Sequence, residues 1–252
     1  VIFVTPMFLF VPDPRSSGLR KIEAAKAGVR SLFNTFRELR KHRNPMLFLI
    51  AYMIYNDGLA AIIAFGGVYA AGTFGWTTVS LGIFGIVLTV FATVGAFVGG
   101  SLDDRFGSKP TVLVAIVGVI VATLGIVSVG RDSILFAFDV APPQPDGGLF
   151  ASAPEMAFMG FALILGICMG PMQAASRTMI GRLAPRKMVG EFYGLFALSG
   201  RATPFLAPFL IARATDASDS QRVGIVVVLV FLIVGFGLLL KVREVQSEDD
   251  GH

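Results

Sequence analysis

Charged side chains are scarce in this chain: Asp, Glu, Lys and Arg make up 15% of its 252 residues, against 54% hydrophobic. That balance excludes an ordinary soluble domain, where charged residues run near 25%. The single cysteine, Cys168, excludes an intramolecular disulfide. The two histidines, His42 and His252, stand alone. No motif has the spacing of a metal cluster, a catalytic triad or a phosphate loop, so we expect no enzyme and no cofactor. An initiator Met is also missing. Val1–Pro12 is apolar but too short to span a bilayer, and it lacks the basic start and small-residue cleavage site of a signal peptide. It reads as the end of a spanning helix in a chain that is a fragment.

What the chain has in quantity is long apolar runs. A helix needs about 20 apolar residues to cross about 30 Å of hydrocarbon. Five runs qualify: Pro45–Gly72, Thr78–Ser101, Thr111–Val129, Met156–Gln173 and Val223–Leu240. A sixth, Gly190–Ala212, is interrupted by Arg201, Pro204 and Pro208 but is long enough, and those prolines predict a broken helix.

Basic residues set the orientation. The segment before the first full span carries Arg15, Arg20, Lys21, Lys26, Arg30, Arg37, Arg40, Lys41 and Arg43. Arg105 and Lys109 follow between spans two and three. Arg177, Arg182, Arg186 and Lys187 lie between four and five, and Lys241 and Arg243 after six. The alternate connections hold only Arg131, Arg213 and Arg222. The basic loops are therefore expected in the cytoplasm, with both ends of the six-span block on that side. The net charge of +4 is an orientation signal and not a nucleic-acid footprint. Leu19–Leu39 has the three-to-four apolar spacing of an amphipathic helix lying on the membrane surface. The stretch Arg131–Pro154 reads as an irregular external loop, and the acidic tail from Glu244 as disordered.

Between spans two and three stands Gly100-Ser-Leu-Asp-Asp-Arg-Phe-Gly-Ser-Lys109. This Gly-framed Asp-Arg turn resembles the signature loop of the major facilitator superfamily of secondary transporters. The resemblance implies an all-α membrane protein, the six-helix C-terminal half of a twelve-helix transporter. On it, residues 1–12 end the sixth helix and residues 13–44 form the cytoplasmic central loop. Residues 45–241 are then helices seven to twelve, and 242–252 a cytoplasmic tail. The implied partners are the lipid bilayer, a missing N-terminal six-helix half and a small-molecule substrate. In the superfamily the loop docks on the opposite half, so Gly100, Asp104, Arg105, Gly107 and Lys109 are gate candidates. Here Asp104 would meet a helix end, and Arg105 and Lys109 carboxylates of adjacent loops. Ser108 stands where a second basic residue is common, which would weaken the latch.

Four residues could bind substrate or a proton. Asn56 and Asp57 lie midway along the first span. A carboxyl group at that depth must face a cavity, find a partner or be protonated. Gly58 beside it could allow a kink or an approach to the backbone. Gln173 ends the fourth span, where its amide could reach a cavity. Arg201 lies inside the Gly190–Ala212 run and needs an anionic partner, either Asp57 or a substrate carboxylate. Arg177 and Glu191 flank the next cytoplasmic turn and could pair across it as a gate contact. The spacing of Gly95 with Gly99, and of Gly166 with Gly170, allows close helix approach.

Ala51-Tyr-Met-Ile-Tyr-Asn-Asp-Gly58, the Gly100–Lys109 turn, and the Gln173-x-x-Ser-Arg177 and Glu191-Phe-Tyr-Gly194 elements together resemble the vacuolar-effluxer-like branch, related to the autophagy-associated amino-acid effluxer. That resemblance implies alternating access and export of amino acids or similar small polar solutes, with a proton as the candidate coupling ion. Lipid or lipophilic-drug cargo is an alternative, as is a non-transporting membrane scaffold. A bacterial inner membrane is the expected location.

Overall fold

The computed structural model describes residues 43–141, 148–185 and 188–243. The expected helix end at 1–12, the amphipathic segment 19–39 and the tail from 244 lie outside them. Among the described residues seven helices follow in order: α1 Arg43–Phe74, α2 Thr78–Phe106, α3 Ser108–Ser128, α4 Ala153–Leu183, α5 Val189–Ala202, α6 Leu206–Ser218 and α7 Gln221–Leu240. The sixth expected span is divided into α5 and α6, so six segments are long and apolar enough to cross a membrane. Helix is the natural choice there, because hydrocarbon offers no partner to an unpaired backbone group.

Local sequence sets several helix ends. Thr77 caps α2, accepting from the Ser80 amide. Ser152 and Glu155 form a reciprocal capping box on α4, whose first turn also holds Pro154. Gly107 turns the chain between α2 and α3 at φ 91°, a conformation that side chains disfavour. Part of the segment expected to be an irregular external loop forms a short hairpin. Ser133–Ile134 (β1) pairs antiparallel with Phe138–Asp139 (β2).

In the bundle, α4 packs between α2 and α3, while α7 packs on α1, α3 and α6. The α2–α4 contact is the tightest. A Cβ on Gly95 would overlap the Ile167 carbonyl, one on Gly99 would come within 2.5 Å of Pro171 Cβ, and one on Gly170 would overlap the Ala92 carbonyl. Pro171 lies inside α4 and has no N–H for the Ile167 carbonyl. The oxygen it releases is the one facing Gly95. Small residues therefore bring α2 and α4 together where a hydrophobic driving force between helices is lacking.

Candidate functional site

Asp57 stands fifteen residues into the 32-residue α1 and is only 2% exposed. Behind it α1 presses on α7: a Cβ on Gly58 would come within 2.9 Å of Phe231 Cβ. Gly58 therefore serves helix packing, and α1 continues through it as helix. In front of Asp57 lies the division between α5 and α6. Pro204 cannot donate to the carbonyl four residues earlier, at Gly200. Asn56 fills that vacancy, its Nδ2 donating to Gly200 O at 3.3 Å. The Thr203 hydroxyl lies against the Asp57 carboxyl group. Asp57 Oδ1 and Thr203 Oγ1 are both buried, and neither has a partner beyond the other.

The structure brings Asn56 and Asp57 to this break with their side chains toward it, but leaves the other two binding candidates, Arg201 and Gln173, exposed. Arg201 is exposed and does not pair with Asp57. Successive helical residues point about 100° apart. Gly200 turns toward α1 and packs near Tyr52, which leaves Arg201 on the outward side. Gln173 is likewise exposed, with Arg177 one turn further along the same face of α4. The inward neighbour is Ser176, fully buried, which shares a 2.6 Å hydrogen bond with the Tyr55 hydroxyl and donates to the Met172 carbonyl. This Tyr55–Ser176 link between α1 and α4 was missed in the sequence, although Tyr55 adjoins Asn56 in an otherwise apolar run. Tyr52 stacks on Phe196 of α5 with centroids 4.0 Å apart.

At the turn between α2 and α3 the arrangement differs from the expected one. Helix α2 continues to Phe106, so Gly100 lies inside it, exposed and with open space beside it, and only Gly107 makes the turn. Asp104 and Arg105 are exposed. The buried acid is Asp103, which accepts from the Ser108 hydroxyl at 2.7 Å and pairs with Arg182 of α4 at 3.3 Å. Ser108, expected to weaken the latch, is fully buried and donates to that acid. The signal for Asp103 was present: Gly95, Gly99 and Asp103 recur every four residues along the face that meets α4. Lys109 donates to the Leu240 and Val242 carbonyls at 3.0 and 2.7 Å, a cation placed at the C-terminal end of α7. Arg177 and Glu191 are both exposed, and across their turn Tyr193 donates to the Arg177 carbonyl at 3.1 Å.

A third cluster, at the opposite end of the bundle, was not anticipated. Trp76 donates to Glu155 at 2.6 Å and sits among Phe74, Phe84, Phe150 and Phe158. Tyr69 donates to the Val129 carbonyl at 2.7 Å and accepts from Arg222 at 3.2 Å. Among the described residues no group of three His, Cys, Asp or Glu could hold a metal ion.

Six spans, one broken at mid-depth beside a buried acid, and a Gly-turned charged link between spans two and three define the class: half of a major facilitator transporter fold. The structure is similar to that of a D-xylose–proton symporter, with a TM-score of 0.60, 19% identity, and coverage of 79% of this chain and 48% of that one. It is also similar to the inward-open xylose transporter XylE from E. coli, with a TM-score of 0.62 and 19% identity, covering 79% and 47% of the two chains. In sequence the chain is similar to the uncharacterized MFS-type transporter YxiO of Bacillus subtilis, 24% identical over 220 residues, or 87% of this chain and 46% of that protein. Autophagy-related protein 22-2 of Emericella nidulans is 23% identical over 224 residues, 88% and 36% of the two. The profile of the family described as "Vacuole effluxer Atg22 like" matches residues 1–252, and the chain belongs to that family. It is a multi-pass membrane protein whose relatives are transporters and not enzymes, and it spans about half the length, or less, of the relatives it matches.

Proposed function

We propose that this chain is the C-terminal half of an alternating-access secondary transporter that exports amino acids or similar small polar solutes, with Asp57 as its coupling acid. One observation carries the reading: a buried carboxyl group at mid-span, with an oxygen lacking a partner beyond Thr203, abuts a helix break. A carboxylate there is costly to keep, and such groups mark ion and substrate pathways. Discontinuous helices at the midplane are a recurrent way to build transporter sites. Asn56 lies in the same layer and could orient a solute. Arg201 and Gln173, exposed on faces that the described bundle leaves open, are positioned to meet a solute or the other half. Gly107, Lys109, Arg182 and Asp103 serve as the cytoplasmic latch, with Arg177 and Glu191 on the neighbouring turn. Similarity to a Bacillus subtilis transporter supports placement in a bacterial inner membrane.

The test is counterflow in proteoliposomes holding the full-length protein that contains this chain, preloaded with pooled amino acids, beside Asp57→Asn. Exchange by the parent that depends on pH, with both lost in the variant, is expected. Exchange whose pH dependence is untouched by Asp57→Asn overturns the coupling role.

One feature favours lipid or lipophilic cargo instead. A groove of about 470 Å³ opens between α1, α2 and α4, and its lining includes Ile63, Val68, Leu81, Leu88 and Met169. Counterflow of a lipophilic cation, with none of amino acids, would select that reading.

A further inference from the structure

We propose that Asp57, Thr203 and the backbone carbonyls released at the α5–α6 break form a site for a small monovalent cation, Na+ or Li+, which competes there with the proton. The inference rests on Asp57 being the coupling acid, as proposed above, and adds a second ion to it.

The donor set is made of oxygen alone. Asp57 Oδ1 and Thr203 Oγ1 are buried and adjacent, and neither has a partner beyond the other. Two more oxygens are released by the sequence itself. Pro204 and Pro208 each lack an N–H, so the carbonyls of Gly200 and Pro204 lose the donor that a continuous helix would supply. Gly200 O has only the 3.3 Å contact from Asn56. The last turn of α5 adds the negative end of its helix dipole. Carboxylate, hydroxyl and carbonyl oxygens suit a hard cation, and neither sulfur nor imidazole is present to favour a softer one.

Charge selects the valence. Asp57 supplies one negative charge, and the groups facing it do not change that count. The stretch of α7 that packs on the neighbouring Gly58, around Val228, Phe231 and Leu232, is apolar. On its own helix, Tyr55 is engaged with Ser176 and Tyr52 stacks on Phe196. From α5, Arg201 turns outward, and from α4 Arg177 is exposed. A monovalent ion would leave the buried site neutral, whereas a divalent one would leave a net positive charge at mid-depth, which is expensive.

The experiment is thermal unfolding of the purified full-length protein in NaCl, LiCl and choline chloride at matched ionic strength and at two pH values. The wild type is expected to show a saturable rise in Tm with Na+ and none with choline, with half-saturation moving to higher Na+ at lower pH. Thr203→Val keeps the side-chain shape but removes a ligand. It should match the wild type in choline and need at least about tenfold more Na+, and Asp57→Asn should not respond. Equal Tm for the wild type in Na+ and choline overturns the site, as does a Na+ response that survives in Asp57→Asn. The wild-type comparison decides even if a variant fails to fold. Absent counterflow together with an intact Na+ response would sink the transport reading alone. Proton-dependent exchange without a Na+ response would sink the cation site alone.

Discussion

A carboxylate withdrawn from water must be supplied with donors, and Asp103 has two of different worth. Arg182 is 39% exposed, so its 3.3 Å contact is screened by solvent and contributes about 0–1 kcal/mol. The Ser108 hydroxyl is buried with Asp103 and donates at 2.7 Å. Hydrogen bonds to charged groups are worth about 1.5–3 kcal/mol, and removing this one leaves the acid short of a partner. Ser108→Ala should therefore destabilise the protein by about 1–3 kcal/mol, read as a fall in Tm. Asp104→Asn, one residue from the buried acid but exposed, should change stability by less than about 0.5 kcal/mol. Equal effects of the two substitutions would mean that the turn does not depend on its buried acid. The pair also shows what kept Asp103 out of the sequence reading: in a motif with adjacent aspartates, only the helical phase of α2 says which one turns inward.

At the scale of elements, α2 is held by a single face. Its buried residues are Ser80, Phe84, Gly95, Gly99 and Asp103, and Val79, Ile86, Val90, Val94 and Phe97 are exposed on its remaining surface. The contact with α4 relies on backbone approach, so side-chain volume added there has nowhere to go. Gly99→Val would drive methyl groups into Pro171, and overpacking of this kind costs about 1–3 kcal/mol. Gly82→Ala, on the same helix with open space around it, is the control and should be close to neutral. Equal stability of both variants in detergent would exclude the close packing of α2 on α4. This contact was legible in advance, because Gly95, Gly99, Gly166 and Gly170 are spaced by four in apolar runs. The break between α5 and α6 was legible too, since two prolines four residues apart cannot both sit in an uninterrupted ladder. The outward turn of Arg201 was not, because it depends on which side of α5 faces α1, and spacing within one helix does not specify its neighbours. The Trp76–Glu155 bond was hidden for a similar reason: its partners are 79 residues apart and join only when α1 and α4 pack.

For the whole molecule, six segments and an even number of crossings put the start of α1 and the end of α7 on one side. The structure ties these ends directly: Asn44 accepts from the Arg243 amide at 2.7 Å. The proposed cytoplasmic side rests on the basic residues, of which it takes seventeen and the opposite connections Arg131, Arg213 and Arg222. Because the segments are contiguous, one wrongly assigned span would invert every loop after it, so two reporters on opposite sides test the whole arrangement. In a Cys168→Ser background, Asp132→Cys beside the β1–β2 hairpin and Asp104→Cys at the α2–α3 turn are both exposed. A membrane-impermeant maleimide added to intact cells should label Asp132→Cys and spare Asp104→Cys until the membrane is permeabilised. Labelling of Asp104→Cys alone would invert the orientation. Labelling of both in sealed cells would show that α3 does not cross, and with it the argument that places Asp57 at mid-depth would fall.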